Sequence, residues 1–228
     1  MKVYIGYDER EVQAASVALK TLQRVSDLPA ELLDADKLAA HGLLNRLSDH
    51  RGAQDYDLVS NAKKSTRFAV SRFLTPILCQ DGWALFVDCD VLFLRNPLEM
   101  FQEIGDASKA VYVVQHDYTP STAWKMVNQQ QDPYPRKNWS SVMLFNCEHP
   151  ANRRLTLWDV NNRPGRDLHR FYWLANSEIG ELGPHWNWLV GEQDRPEDLG
   201  IAHFTLGGPW IPGWHGAEHD SLWKEAAA

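Results

Sequence analysis

The sequence predicts an α/β fold built on a parallel sheet, and three observations carry that expectation. The chain opens β-α-β, the unit that parallel sheets are made from. Its later apolar runs, at 83–87, 110–114 and 142–145, are continuous rather than alternating, as in strands buried on both faces. Two carboxylates, Asp88 and Asp90, stand where the first of these runs ends, and open α/β sheets hold their ligands at strand C-termini.

In chain order, Lys2-Val3-Tyr4-Ile5 is the first strand, closed by Gly6-Tyr7-Asp8. A helix over 9–24 follows, with Val12, Ala15, Ser16, Leu19 and Leu22 on one face. Asp8 and Glu9 at its start and Lys20 and Arg24 near its end suit the helix dipole. Ala30-Glu31-Leu32-Leu33 is the second strand. Residues 41–64 are polar and turn-like, and read as an exposed segment. A helix capped by Ser65 is expected next, kinked or restarted at Pro76 and ended by Asp81-Gly82. The focal strand spans 83–94, with Asp88 and Asp90 two residues apart and so on one side.

Asn96-Pro97 opens a short helix, and a strand at 110–114 ends in Gln115-His116-Asp117. Residues 118–137 form a long Pro-, Gln- and Asn-rich loop. A strand over 139–145, helices over 149–158 and 167–174, and a last short strand at 201–204 complete the pattern. Residues 207–214 hold too much Gly and Pro for regular structure, and 221–228 end the chain as a modest helix. No repeat or linker divides the 228 residues, so a single domain over 1–228 is expected.

Composition excludes some functions. The net charge of −7 without a basic block argues against sequence-independent nucleic-acid binding. No run approaches a membrane span, and the first residues form no signal peptide. Three scattered cysteines without Cys-x-x-Cys spacing suit reduced thiols in a cytoplasmic protein. Ten tryptophans, seven from Trp158 onward, admit two readings: core packing, or stacking on sugar rings or bases.

Asp88 and Asp90 carry the chemistry. Two like charges beside a core resist burial unless a cation or donors satisfy them. Oxygen ligands suit Mg²⁺ and Mn²⁺, and Mn²⁺ better tolerates imidazole. His203 ends an apolar segment and opens a glycine-rich loop, a good place for a third ligand; a histidine taken alone is more often structural, but the Asp-x-Asp pair and the glycine-rich loop favour a ligand here.

These residues resemble a family. Phe86-Val87-Asp88-Cys89-Asp90-Val91-Leu92 is similar to the Asp-x-Asp signature of GT-A-type nucleotide-sugar glycosyltransferases, family 8 in particular. Ile5-Gly6-Tyr7-Asp8 resembles the first strand and loop that touch base and ribose. The stretch from Ser71-Arg72 to Ile77-Leu78 resembles the family's Arg-Leu-x-x-Pro-x-Leu-Leu helix, whose arginine faces the diphosphate and the Asp pair. Leu182-Gly183-Pro184-His185-Trp186-Asn187 is close to Leu-Pro-x-x-Trp-Asn, and His203 through Gly207, Gly208 and Trp210 resembles the final His…Gly…Lys-Pro-Trp. There are departures: Gly208 replaces the diphosphate lysine, Trp139-Ser140-Ser141 replaces Asn-Ala-Gly, and the Asp-Gln pair is reduced to Asp167-Leu168.

The resemblance implies a GT-A, Rossmann-like, mixed and mostly parallel sheet flanked by helices. It implies transfer of a sugar from a UDP-sugar to a glycan or other small hydroxyl acceptor, with retention, and with Mn²⁺ or Mg²⁺ on Asp88, Asp90 and His203. Arg72 would join Asp88 and Asp90 in catalysis. Gly6, Tyr7, Asp8, Arg72, Gly207, Gly208 and Trp210 would hold the donor nucleotide. Arg72, Lys63 or Lys64 could compensate for the missing lysine. Candidate contacts to the transferred sugar or acceptor are His116, Asp117, Ser140, Ser141, Asp167, Glu178, Trp186 and Asn187. Two alternatives remain open: a haloacid-dehalogenase-like phosphatase, whose signature Asp88-Cys89-Asp90-Val91 also matches, and an inactive glycan-binding relative.

Overall fold

A computed structural model of the protein describes residues 1–51, 54–105, 107–117, 124–125, 129–130 and 136–228. β1 (Lys2–Tyr7) leads through a tight turn into α1 (Val12–Val25), and then come β2 (Ala30–Asp34) and α2 (Ala35–Ala40). β1 and β2 are parallel, with Ile5 opposite Leu32. Ala15, Ala18 and Leu22 of α1 are buried against the sheet and Leu19 packs partly buried beside them, whereas Val12 and Ser16, expected on the same face, are exposed, because the helix also covers a second core through Ala14 and Val17.

The described residues of 41–64 hold more regular structure than their polarity suggests. They contain β3 (Ser48–Arg51), β4 (Gln54–Asp57) and β5 (Ala62–Lys63), an antiparallel meander. Its anchor is charged rather than apolar: Arg46 forks onto both carboxylate oxygens of Asp57, and each side chain is only 3% exposed.

The helix expected from Ser65 is mostly 3₁₀ and turn. α3 (Thr75–Cys79) begins only where Pro76, which needs no hydrogen-bond acceptor, can occupy the first turn. β6 (Trp83–Val87) pairs parallel with β1, Val87 opposite Ile5. The expected strand over 83–94 then breaks. The chain leaves the sheet at Asp88, and β7 (Val91–Phe93) belongs to a second, smaller sheet.

β8 (Val111–Val113) follows. Most of the loop expected at 118–137 lies outside the described residues, save an antiparallel pairing of β9 (Trp124–Lys125) with β10 (Gln129–Gln130). The strand expected from Trp139 starts three residues later as β11 (Val142–Asn146). Asn138 is left-handed at φ 62°, and residues 139–141 form a 3₁₀ turn. The helix expected at 149–158 divides into a 3₁₀ turn over Pro150–Arg154 and α4 (Leu157–Asn162), where a Thr156/Asp159 capping box starts a new helix. α5 (Gly165–His169) is earlier and shorter than the helix expected at 167–174. β12 (Ile179–Glu181), β13 (Trp188–Leu189), β14 (Ile201–His203) and α6 (Asp220–Ala227) complete the chain.

The central sheet runs β12-β8-β11-β6-β1-β2. Only β11 is antiparallel to its neighbours, so the sheet is mixed and mostly parallel, flanked by helices, as expected. A second core gathers on the other side of α1, where Ala14 and Val17 meet Leu92, Trp188, Ala202, Phe204, Trp210 and Trp223. Trp186, Trp188, Trp210 and Trp223 are all buried, which favours packing for them, whereas Trp158 is 64% exposed. Among the described residues no helix is long and apolar enough to cross a membrane.

Candidate functional site

Strand register builds the site. β6 delivers Asp88 to the C-terminal edge of the sheet, where its N–H donates to the Ser141 carbonyl (2.9 Å). β14 runs antiparallel to β7 with His203 opposite Val91, and the Phe204 N–H donates to the Asp90 carbonyl (2.9 Å). This pairing sets His203 Nε2 3.3 Å from Asp90 Oδ1. One ligand atom from each of Asp88, Asp90 and His203 lies within 4.8 Å of the others. The three side chains expected to hold a metal therefore converge from two sheets.

The hydrogen bonds around His203 fix its tautomer and leave room for a cation. Asn187, fully buried, has Nδ2 facing the Asn138 carbonyl (3.3 Å), an acceptor, so its Oδ1 faces His203 Nδ1 (3.0 Å). His203 thus donates through Nδ1, and Nε2 carries a lone pair toward the Asp90 carboxylate. His203 Nε2 makes no hydrogen bond. Two lone pairs at that distance repel unless a cation lies between them, and a carboxylate-imidazole set suits Mn²⁺ or Mg²⁺.

Arg72 comes from the 3₁₀ segment before α3. Its Nη1 lies 2.8 Å from Asp88 Oδ1 and donates to the Ser140 carbonyl at 2.8 Å. The guanidinium packs against the rings of Phe68 and Phe86, at 5.3 and 5.1 Å from their centroids. It is 5% exposed, so its charge acts in a poorly screened setting.

Ser140 and Ser141 form the hub. The Ser140 carbonyl takes Arg72 and its hydroxyl meets His169 Nδ1 at 2.7 Å. The Ser141 carbonyl takes Asp88, while its hydroxyl donates to the Asn138 carbonyl (2.7 Å) and accepts from Asn187 Nδ2 (2.9 Å). Asn187 Nδ2 also donates to His116 Nε2 (2.9 Å). Burial, and secondly the neighbouring His203, push His116 down to about 3, so it is neutral and able to accept.

Other candidates lie elsewhere or are otherwise engaged. Asp8 is fully buried, and its carboxylate accepts from the Arg10 N–H and guanidinium and from the Arg67 N–H. Burial alone would raise its pKa, but those bonds outweigh it and hold Asp8 below the usual carboxylate range. Gly6, beside the half-buried Tyr7, leaves no room for a side chain, since a Cβ would lie 2.4 Å from the Phe68 ring. Lys63 is exposed on β5, and Lys64 donates to Ser48 Oγ (3.0 Å). Asp117 is exposed, and Asp167 faces Arg166 at 3.5 Å. Glu178 accepts from the Ala175 N–H (2.7 Å) and pairs with Arg154. Trp186 is a core residue whose Nε1 donates to Glu103 (3.0 Å).

Gly207 turns the last loop at φ 103°, a left-handed conformation. A Cβ at Gly208 would lie 2.2 Å from Trp210 Cζ3. The volume a lysine stem would need is thus filled by the indole.

Two residues escaped the sequence reading. Glu11 is buried, accepting from Cys89 Sγ (3.4 Å) and from Trp210 Nε1 (3.3 Å). Burial, and secondly Asp90, raise it to about 7. It ties α1, the loop between the two aspartates and the closing loop together. In the sequence it is one acid among several at a helix start. His169 is the other; only its position two residues after Asp167 pointed toward it.

No family model matches the chain. Among solved structures, galactosyltransferase LgtC in complex with donor and acceptor sugar analogs superposes at TM-score 0.61, with 14% identity, over 100% of this chain and 95% of that one. Glycosyltransferase GlyE of Streptococcus pneumoniae TIGR4 superposes at 0.59, with 11% identity, over 99% of this chain and 60% of that one. These likenesses establish the GT-A glycosyltransferase fold. Protein CDI of Arabidopsis thaliana is 40% identical over 97% of this chain and 84% of its own length. The chain therefore belongs to the family of the Arabidopsis thaliana Protein CDI.

Proposed function

We propose that the chain is a metal-dependent glycosyltransferase of the family 8 type. It moves a sugar from a UDP-sugar to a hydroxyl of a glycan or small-molecule acceptor, with retention, and acts as a single domain over residues 1–228. The observation that carries this reading is the meeting of Asp88, Asp90 and His203 beside Arg72 at the C-terminal edge of β6. LgtC, which shares the fold, was captured with donor and acceptor sugar analogs.

Asp88, Asp90 and His203 would hold Mn²⁺ or Mg²⁺. When bound, that ion supplies positive charge for the diphosphate that departs as the glycosidic bond breaks. Arg72 supplies a second, planar cation suited to phosphate oxygens. With Trp210 occupying the space of the family's lysine, Arg72 takes over that neutralising role. Asn187 orients His203, and the Ser140–Ser141 backbone sets Arg72 and Asp88 in register. The phosphatase alternative fits less well, because its Asp pair closes the first strand, whereas here the pair follows β6.

A thermal-shift screen of nucleotide sugars with and without Mn²⁺ tests the proposal. One or more UDP-sugars should raise the unfolding temperature, and only with metal. No shift with any nucleotide sugar would count against it.

A further inference from the structure

We infer that His169 is a positioning residue for Arg72, acting through Ser140 and through the turn that carries Ala69, so that the guanidinium is held ready for the donor diphosphate. The inference rests on the donor reading above.

His169 closes α5, far in sequence from the aspartates, and touches the support of Arg72 on three sides. Its Nδ1 lies 2.7 Å from Ser140 Oγ, the residue whose carbonyl takes Arg72 Nη1 at 2.8 Å. The ring also hydrogen-bonds the Ala69 backbone, three residues before Arg72. Phe73, the residue after Arg72, meets the ring edge-on at 5.1 Å.

The hydrogen-bond pattern fixes the ring. A backbone carbonyl accepts only from an N–H, so the nitrogen facing Ala69 is protonated. Nδ1 of the neutral ring is then the acceptor for the Ser140 hydroxyl. Burial, and secondly the positive charge of Arg72, hold His169 down at about 3, so this pattern persists at ordinary pH. An imidazolium here would turn a second donor toward Ser140 and add a like charge beside the guanidinium. The Arg72 side chain needs such support because it leaves its backbone on an irregular 3₁₀ turn rather than a regular helix.

A double-mutant cycle tests the inference, read as calorimetric binding of UDP in the presence of Mn²⁺, with inorganic pyrophosphate as a second probe. His169→Ala should weaken UDP binding about tenfold, as expected for a misplaced charged hydrogen bond. Arg72→Ala should weaken it more, and the double variant should be no weaker than Arg72→Ala alone. His169→Asn, which places an amide near the former Nδ1, should recover most of the loss. Mn²⁺ alone should bind His169→Ala as it binds the wild type. Ser140→Ala removes only the hydroxyl and provides the same cycle if His169→Ala does not fold. Additive losses in the cycle, or no recovery with asparagine, would overturn the positioning role. A wild type that binds neither probe would overturn the donor reading, and this inference with it.

Discussion

His203 donates its Nδ1–H to Asn187 Oδ1 across 3.0 Å, and that bond turns Nε2 toward Asp90, 3.3 Å away. Asn187 is in turn held by Ser141 and His116. The buried amide thereby orients the candidate histidine ligand and links it to Ser141, whose carbonyl accepts from the Asp88 N–H. Asn187→Leu keeps the volume and removes the acceptor. Mn²⁺ affinity, measured by calorimetry, should fall about 10–100-fold. An unchanged affinity would show that the amide does not set the tautomer.

The Gly208 position argues against simply restoring a lysine. A Cβ there would lie 2.2 Å from Trp210 Cζ3. Gly208→Lys should destabilise the protein by about 1–3 kcal/mol in denaturant unfolding, as overpacking does. Removing the indole as well would relieve the clash but take from Glu11 its Nε1 donor. A Gly208→Lys variant as stable as wild type would mean that the indole moves aside freely.

Acid stability follows from His116. Its folded pKa of about 3 lies below the ordinary value near 6.5. Between those values the unfolded chain binds the extra proton, so this contribution is full above about pH 6.5 and is lost as pH falls toward 3. The slope is about 1.4 kcal/mol per pH unit. His169, also near 3, has the same sign. His116→Gln should therefore lessen the loss of stability between pH 7 and pH 5 by up to about 2 kcal/mol, and a second slope from His169 should remain. Identical pH profiles for variant and wild type would refute the assignment.

The tryptophans divide by burial. Trp186 is fully buried, and Trp186→Ala should cost about 3–5 kcal/mol. Trp158 is 64% exposed, and Trp158→Ala should stay within about 0.5 kcal/mol of wild type. Chemical denaturation of the two variants checks both.

Much of the sheet is readable from the chain because its strands are continuous apolar runs. Ala84–Val87, Val111–Val113 and Val142–Phe145 are buried at every position, so both faces of these strands are covered, and nothing in their neighbourhoods offers a competing pattern. The candidate ligands are readable for a different reason: carboxylates beside a core are costly, so Asp88 and Asp90 stand out in the sequence. What stayed hidden depends on distant partners. The Arg46–Asp57 anchor reads as surface charge until the meander folds around it. Glu11 meets Cys89 across 78 residues, and Asn187 meets His116 across 71. No local periodicity encodes such pairs. The starts of elements differ from expectation where one residue redirects the backbone, as Asn138 does before strand β11 and Pro76 does at the start of helix α3.

The central claim is that Asp88, Asp90 and His203 hold a divalent cation that serves a nucleotide-sugar donor. Its most direct test is release of UDP from a panel of UDP-sugars by wild type, Asp88→Asn and Asp90→Asn, with Mn²⁺ and with EDTA. Wild type should release UDP only with metal, and release should fall about a hundredfold or more in each variant, since metal charge stabilisation is worth several kcal/mol. Asp88→Asn retaining both wild-type Mn²⁺ binding and wild-type turnover would contradict it.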